Sequence, residues 1–272
     1  MGVVNLTPDS FSDGGQFVEP AAAVAHALRL IDEGADLIDI GAESSRPGAT
    51  PLGQEDELAR LMPVLRGLRD CPVPISVDTY KPEVMRRALD EGAAMVNDIY
   101  ALSRPGALEL AAQSDCAVCV MHMQGDPATM QSAPRYGNVV AEVRDFLAGR
   151  VGALRAAGIA PERIVVDPGF GFGKTPEQNV ALLSGFRAFT TLGAAALAGT
   201  SRKGFLGRAT GRPVTERVAA SVAAALAAVA RGALLVRVHD VAPVIDALKV
   251  WEMVENCALE RPRLAARRVG GS

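Results

Sequence analysis

Short apolar runs alternate along the chain with longer stretches whose apolar positions recur every three or four residues. The short runs lie at 3–6, 37–40, 75–78, 95–99, 117–122, 164–167, 194–199 and 234–239. They are mostly β-branched or aliphatic, as in strands buried on both faces of a parallel sheet. The spacing predicts helices at 19–35, 55–70, 81–92, 107–114, 139–157, 177–192, 215–232 and 242–258. The first opens near Pro20 and closes near Gly34, a common asymmetry at helix ends. In the second, Leu58, Leu61, Met62 and Leu65 share one stripe. Strict alternation of strand and helix implies a parallel sheet. Eight units in 272 residues average about 34 residues each, which suits a (β/α)8 TIM barrel. The rival is an open, doubly wound sheet, but no strand is followed by a dinucleotide glycine fingerprint. No linker breaks the pattern, so residues 1–272 are expected to form a single domain.

The strands are hydrophobic, yet most end in a polar residue: Asn5, Asp39, Asp78, Asn97, His122, Asp167, Arg237 and His239. A scattered carboxylate inside a barrel is costly. At the C-terminal rim the same residues face the βα-loops, where barrel enzymes carry out their chemistry. One such residue is often a helix cap, but recurrence on most strands points to a site. The loops at 8–18 and 42–51, and the run Ser201-Arg202-Lys203-Gly204, belong to that rim. There Lys203, Arg202, Arg237, Arg46 and His239 join Asp39, Asp78 and Asp167. The mixed charge suits a substrate with an anionic group, such as a phosphate, and a donor-rich nitrogen heterocycle.

Composition narrows the class. Hydrophobic residues make up 49% but aromatics only 4%, so the core is built from Ala, Val, Leu and Ile. A net charge of -3 excludes a broad basic footprint for nucleic acid. The most apolar run, 218–230, is too short to span a bilayer, so no membrane partner is expected. No signal peptide is evident, and four cysteines do not make a disulfide scaffold, so a reduced cytoplasmic setting is expected.

Several motifs tempt. Gly169 to Thr175 looks like a phosphate-binding P-loop, but its spacing is one residue short and Pro168 stands at the first glycine position. Cys116 and Cys119 lie three apart around a strand, so they face opposite sides and read as small hydrophobes. His26 reads as structural or exposed. His122 either lines the site or supports a neighbour.

Taken together, these segments resemble the dihydropteroate synthase family. The stretches that carry the likeness are 1–15, 41–48, 76–79, 96–98, 121–125, 167–174, 201–204 and 237–240, in order and on nearly every strand. The resemblance implies a (β/α)8 barrel that joins 4-aminobenzoate to 6-hydroxymethyl-dihydropterin diphosphate. It implies that Asp78, Asn97, Asp167 and Lys203 hold the pterin, with Phe172 packed alongside. Asn5, Arg237 and His239 would hold the diphosphate, with Mg²⁺ on Asn5. Phe11, Ser45, Arg46, Ser201, Arg202 and Asp39 would form or border the aminobenzoate pocket. An SN1-like departure of diphosphate, sulfonamide competition and a homodimer are further expectations. Ser45 stands where the family commonly has Thr. Strand one begins at residue 2, whereas the resemblance implies a segment ahead of it, so a longer native chain is expected. The alternatives are a pterin-binding methyltransferase domain and an inactive homologue.

Overall fold

The structure is a computed structural model, which describes residues 1–7, 20–44 and 50–259. Eight parallel strands follow one another around the sheet in chain order. They are β1 (Gly2–Asn5), β2 (Ile38–Gly41), β3 (Ile75–Asp78), β4 (Met95–Asp98), β5 (Ala117–Met121), β6 (Ile164–Asp167), β7 (Ala195–Ala198) and β8 (Leu235–Val236). The sheet closes on itself. Gly2 bridges Val238, and the Val238 N–H donates to the Met1 carbonyl at 3.0 Å. Closure decides for the barrel over the open sheet.

The helices are α1 (Pro20–Asp32), α2 (Gln54–Gly67), α3 (Pro82–Asp90), α4 (Ala107–Gln113), α5 (Val139–Ala156), α6 (Pro176–Ser184), α7 (Gly204–Thr210), α8 (Val218–Val229) and α9 (Val241–Leu259). Local chemistry sets their starts. Proline opens α3 and α6, where its missing N–H costs nothing. Thr175 and Gln178 form a reciprocal capping box on α6, and Asn138 caps α5.

Side chains alternate between two cores. Outward positions such as Val4, Ile38, Ile40 and Val77 pack under Ala27 and Leu30 of α1 and Leu61 and Leu65 of α2. On the other side Val118, Val120, Ile164 and Val166 pack with Leu147 of α5 and with Phe170, Phe186 and Phe189. The interior is smaller: Met95, Cys119, Val165 and Leu197 form its apolar cluster. Cys116 belongs to the outer core and Cys119 to the inner, as their spacing predicts.

Three departures from the periodicity are informative. The stretch expected as one helix at 177–192 stops at Ser184 and resumes as a 3₁₀ turn at Phe186–Ala188. Gly185 ends α6 there, and Phe186 and Phe189 turn into the core. The helix expected at 215–232 begins at Val218, after a separate turn at Val214–Glu216. Helix α7 carries no full apolar stripe; it forms because Phe205 and Leu206 are buried on one side of its short length.

The loop after β6 shows why the P-loop likeness fails. Gly169 has φ +72°, and a Cβ there would stand 2.0 Å from the His122 carbonyl oxygen. Gly173 has φ +60°, and a Cβ there would stand 2.5 Å from the Gln124 carbonyl oxygen. These glycines serve close packing against the loop after β5. The buried Lys174 ammonium donates to the carbonyls of Gly169 (2.9 Å), Phe172 (2.8 Å) and His122 (3.2 Å). It is engaged in holding the loop. Substituting Gly169→Ala is therefore expected to destabilise the fold by ~2–4 kcal/mol, through backbone strain plus a clash with main chain. Urea denaturation should show a lower midpoint; an unchanged midpoint would refute this account of the loop.

Candidate active site

Inward positions near the C-terminal ends of the strands carry most of the polar residues. Register explains the grouping. Asp39 pairs with Ser76, Gly41 with Asp78, and Asp78 with Asn97 across neighbouring strands. At Gly41 a Cβ would sit 3.2 Å from the Asp78 Cβ, so the missing side chain gives that carboxylate its room. The interior is thus polar at Asp39, Ser76, Asp78, Asn97 and Arg237, and apolar at Met95, Cys119, Val165 and Leu197.

Arg237, one residue past β8, joins the polar side. Its Nε donates to Asp39 Oδ2 at 2.6 Å, and its Nη2 donates to Asp78 Oδ2 at 2.9 Å. Burial works against the guanidinium charge, but Asp39 and Asp78 outweigh it and raise its pKa. Asp39 is fully buried; its Oδ1 accepts from Ser76 Oγ at 2.6 Å, and its Oδ2 also accepts from Asn97 Nδ2 at 3.1 Å.

The two carboxylates beside this cluster differ in support. Burial pushes Asp78 up to about 7, with Arg237 pulling the other way. Burial also raises Asp167, although the Gly169 N–H donates to its Oδ1 at 2.8 Å. Lys203 Nζ lies 4.4 Å from the centre of the Phe172 ring. Burial and the nearby Arg237 charge bring Lys203 down to about 8. Asn5, at the end of β1, is half-buried. His239 lies beyond Arg237 and is held by Ser201: its backbone N–H donates to Ser201 Oγ at 3.2 Å, and its Nδ1 lies 3.1 Å from the same oxygen. The Ser201 hydroxyl thus engages both the backbone and the Nδ1 side of His239, and turns the Nε2 side of the ring away from it. Burial, then Arg237, lowers His239 to about 4, so the ring is a neutral donor.

Asp78, Asn97, Asp167, Lys203, Phe172, Asn5, Arg237, His239 and Ser201 thus share one end of the barrel. Two further expected residues are held by protein partners. Asp39 is grouped by the resemblance with the aminobenzoate residues, but the structure sinks it inside the barrel, bonded to Ser76, Asn97 and Arg237. Arg202 has φ 59° and pairs with Asp240 through two bonds, at 2.9 and 2.5 Å. Phe11, Ser45 and Arg46 lie outside the described residues. His122 proves to be a support: its Nδ1 is 3.1 Å from the Lys174 ammonium, and burial then that charge bring it down to about 3.

One cluster at the rim escapes the pattern. Lys81 Nζ bonds both Glu43 and the buried Glu57, and Tyr80 OH donates to Glu43 at 2.9 Å. It ties the second βα-loop to the strand end that bears Asp78. Its signal was Glu57, a charge on the same helical stripe as Leu61 and Val64.

Among the described residues no group of three or more His, Cys, Asp and Glu side chains is placed to cage a metal. The donors present fit a hard cation that takes most of its ligands from a substrate's oxygens: an amide oxygen on Asn5, beside Arg237 and His239 for the anion.

The sequence profile of the pterin-binding enzymes matches residues 1–239. The dihydropteroate synthase of Neisseria meningitidis serogroup B is 52% identical over 259 residues, spanning 93% of this chain and 91% of that protein. The chain belongs to the dihydropteroate synthase family. A solved family member from Xanthomonas albilineans, with 4-aminobenzoic acid, superposes with a TM-score of 0.88 at 53% identity, covering 93% of this chain and 92% of that one. Another, from Burkholderia cenocepacia, complexed with 7,8-dihydropteroate, gives 0.87 at 51% identity over 96% and 92%. Agreement at this level over nearly the whole length makes the barrel of this chain the synthase family's barrel.

The buried histidine makes a pH prediction. His122 takes up a proton below about 6.5 when unfolded but only near 3 when folded, so its contribution to stability falls as pH drops through that window, by at most about 1.4 kcal/mol per pH unit. Asp78 and Asp98, raised by burial to about 7 and about 6, act in the opposite sense. The difference between His122→Gln and the parent isolates the histidine. Chemical denaturation from pH 7 to 4 should show the variant losing stability less steeply; parallel curves would count against the buried neutral ring.

Proposed function

We propose that this protein condenses 4-aminobenzoate with 6-hydroxymethyl-7,8-dihydropterin diphosphate, yielding 7,8-dihydropteroate and diphosphate. The observation that carries the reading is the meeting of acceptor carboxylates and cationic groups at one barrel end, in a chain of this family. Asp78, Asn97 and Asp167 accept from the donor edge of the pterin, and Lys203 donates to its carbonyl side, with Phe172 against the ring. Arg237 and His239 take the diphosphate with Asn5. Asn5, with the substrate's own oxygens, would hold Mg²⁺, which when bound would supply positive charge where the leaving group gathers negative charge. Ser201 borders the aminobenzoate position, and Phe11, Ser45 and Arg46 are assigned there by resemblance.

Charge placement favours a dissociative path. Negative charge grows on the departing diphosphate, facing Arg237. Positive charge grows on the pterin's exocyclic carbon, near the carboxylates of Asp78 and Asp167. Preorganised charges of this kind are typically worth several kcal/mol. The arylamine then attacks the cationic carbon, forming the C–N bond and releasing its proton. A methyltransferase has no need for a diphosphate grip at Arg237 and His239, which disfavours that alternative. Sulfonamides imitate the aminobenzoate and are expected to compete with it.

A homodimer belongs to the same proposal. Val250, Met253 and Val254 form an exposed apolar stripe on α9, at helical spacing. The buried face of α8, Ser221, Ala224, Ala225 and Ala228, is occupied by its own core. Three described cysteines, Cys71, Cys116 and Cys119, are free thiols, in keeping with a cytoplasmic setting. No described helix is long and apolar enough to cross a membrane.

Turnover of 4-aminobenzoate with the pterin diphosphate, measured with and without Mg²⁺, tests the reading. Activity that needs the metal is expected, and none in either arm would sink it. Asp167→Asn should lower kcat by roughly 100-fold, the scale of one lost electrostatic contact, with little change in the urea midpoint; near-normal turnover would refute its role. Because Asp78 must be ionised to accept, kcat/KM for the pterin substrate should rise with pH through about 7.

A further inference from the structure

We infer that Asp39 is a positioning residue for the pterin wall, fixing the Asn97 amide and the Arg237 guanidinium from inside the barrel while touching neither substrate. This rests on the pterin reading above and assigns Asp39 a place other than the aminobenzoate pocket.

Asp39 is 0% exposed, so no substrate reaches it without rearrangement of the interior. Asp39 Oδ2 accepts the Arg237 Nε–H, and the Asn97 amide nitrogen donates to the same oxygen at 3.1 Å. The amide then cannot flip without setting oxygen against oxygen. Its carbonyl oxygen is committed to the side away from Asp39, and the wall formed by Asp78, Asn97 and Asp167 becomes one of acceptors. A heterocycle that presents N–H groups fits that wall; one that presents lone pairs does not.

The same oxygen of Asp39 accepts from Arg237 Nε at 2.6 Å. With Nη2 on Asp78, two points set the plane of the guanidinium and leave its remaining N–H groups for an anion. Ser76, paired in register with Asp39, donates from Oγ to the other carboxylate oxygen at 2.6 Å and fixes its rotation. Pterin wall and anion grip are thus aligned by one carboxylate on β2.

Three variants test this: Asp39→Ala, Asp39→Asn and Ser76→Ala. The readouts are calorimetric affinity for 6-hydroxymethylpterin and the KM for 4-aminobenzoate. Asp39→Ala should weaken pterin binding by about 20-fold, the scale of a buried polar pair left unmade. In Asp39→Asn the amide oxygen can still accept from both Arg237 and Asn97, and its nitrogen can donate to Ser76. That variant should stay within about fivefold of the parent, since a neutral acceptor is weaker than a charged one. Ser76→Ala, which keeps the charge, should cost about threefold, the scale of one ordinary hydrogen bond. The KM for 4-aminobenzoate should stay within about twofold throughout, because no partner of Asp39 contacts that substrate.

A raised KM for 4-aminobenzoate with unchanged pterin affinity would return Asp39 to the aminobenzoate pocket and overturn the inference. So would an asparagine variant as impaired as the alanine one, which would mean that charge alone matters. If Asp39→Ala does not fold, Ser76→Ala decides, and unchanged pterin affinity there overturns the proposal. Parent protein that binds no pterin would overturn the site reading itself, a result distinct from a parent that binds it and variants that bind it equally.

Discussion

A guanidinium between two carboxylates, inside a barrel, constrains everything around it. Arg237 has Asp39 on one side and Asp78 on the other. Unpaired buried ions are among the most costly features a fold can carry, so both carboxylates depend on the guanidinium and the guanidinium on them. The cost explains the composition of the interior. Strands β2, β3 and β4 give up apolar inward positions to Asp39, Ser76 and Asn97, and β5 to β7 keep Cys119, Val165 and Leu197. The barrel is held mainly by its outer cores, where strands meet helices, which leaves the interior freer to serve the site.

From that arrangement the chemistry follows by division of labour. The acceptors stand at the ends of β3, β4 and β6, and the cations come from the last two βα-loops. A molecule with a donor-rich ring at one end and an anionic leaving group at the other can lie between them. In the proposed reaction, bond cleavage separates charge along the same direction in which the protein has already separated it. The reorganisation that water would require is therefore largely complete before substrate arrives.

Support residues around the site look like catalytic ones in the sequence. His122 and Lys174 are a histidine and a lysine in glycine-rich surroundings, yet they hold the loop after β6 against the loop after β5. Lys81, Glu43 and Glu57 likewise tie the second βα-loop to the end of β3. Such residues are distinguished from substrate-binding ones by what their polar atoms already meet. A lysine whose ammonium is taken up by three carbonyls has little left to offer a phosphate.

The sequence alone determined the order of strands and helices, the parallel sheet, and which residues end the strands. Those features follow from apolar periodicity and local end chemistry, which are written along the chain. Helix α7 and the break at Gly185 were not legible, because burial of Phe186, Phe189, Phe205 and Leu206 overrides local preference there. The gathering of Asp78, Asn97, Asp167 and Arg237 at one end of the barrel was legible because a polar residue at a strand's end has few other reasons to recur. What only the tertiary structure decided was direction. Asp39 and Asp78 both occupy strands that read alike, but the register and closure of the barrel bury one against Ser76, Asn97 and Arg237 and bring the other to the rim. The difference is one of depth along a closed barrel, and depth is set by how neighbouring strands align, which no single stretch of sequence records.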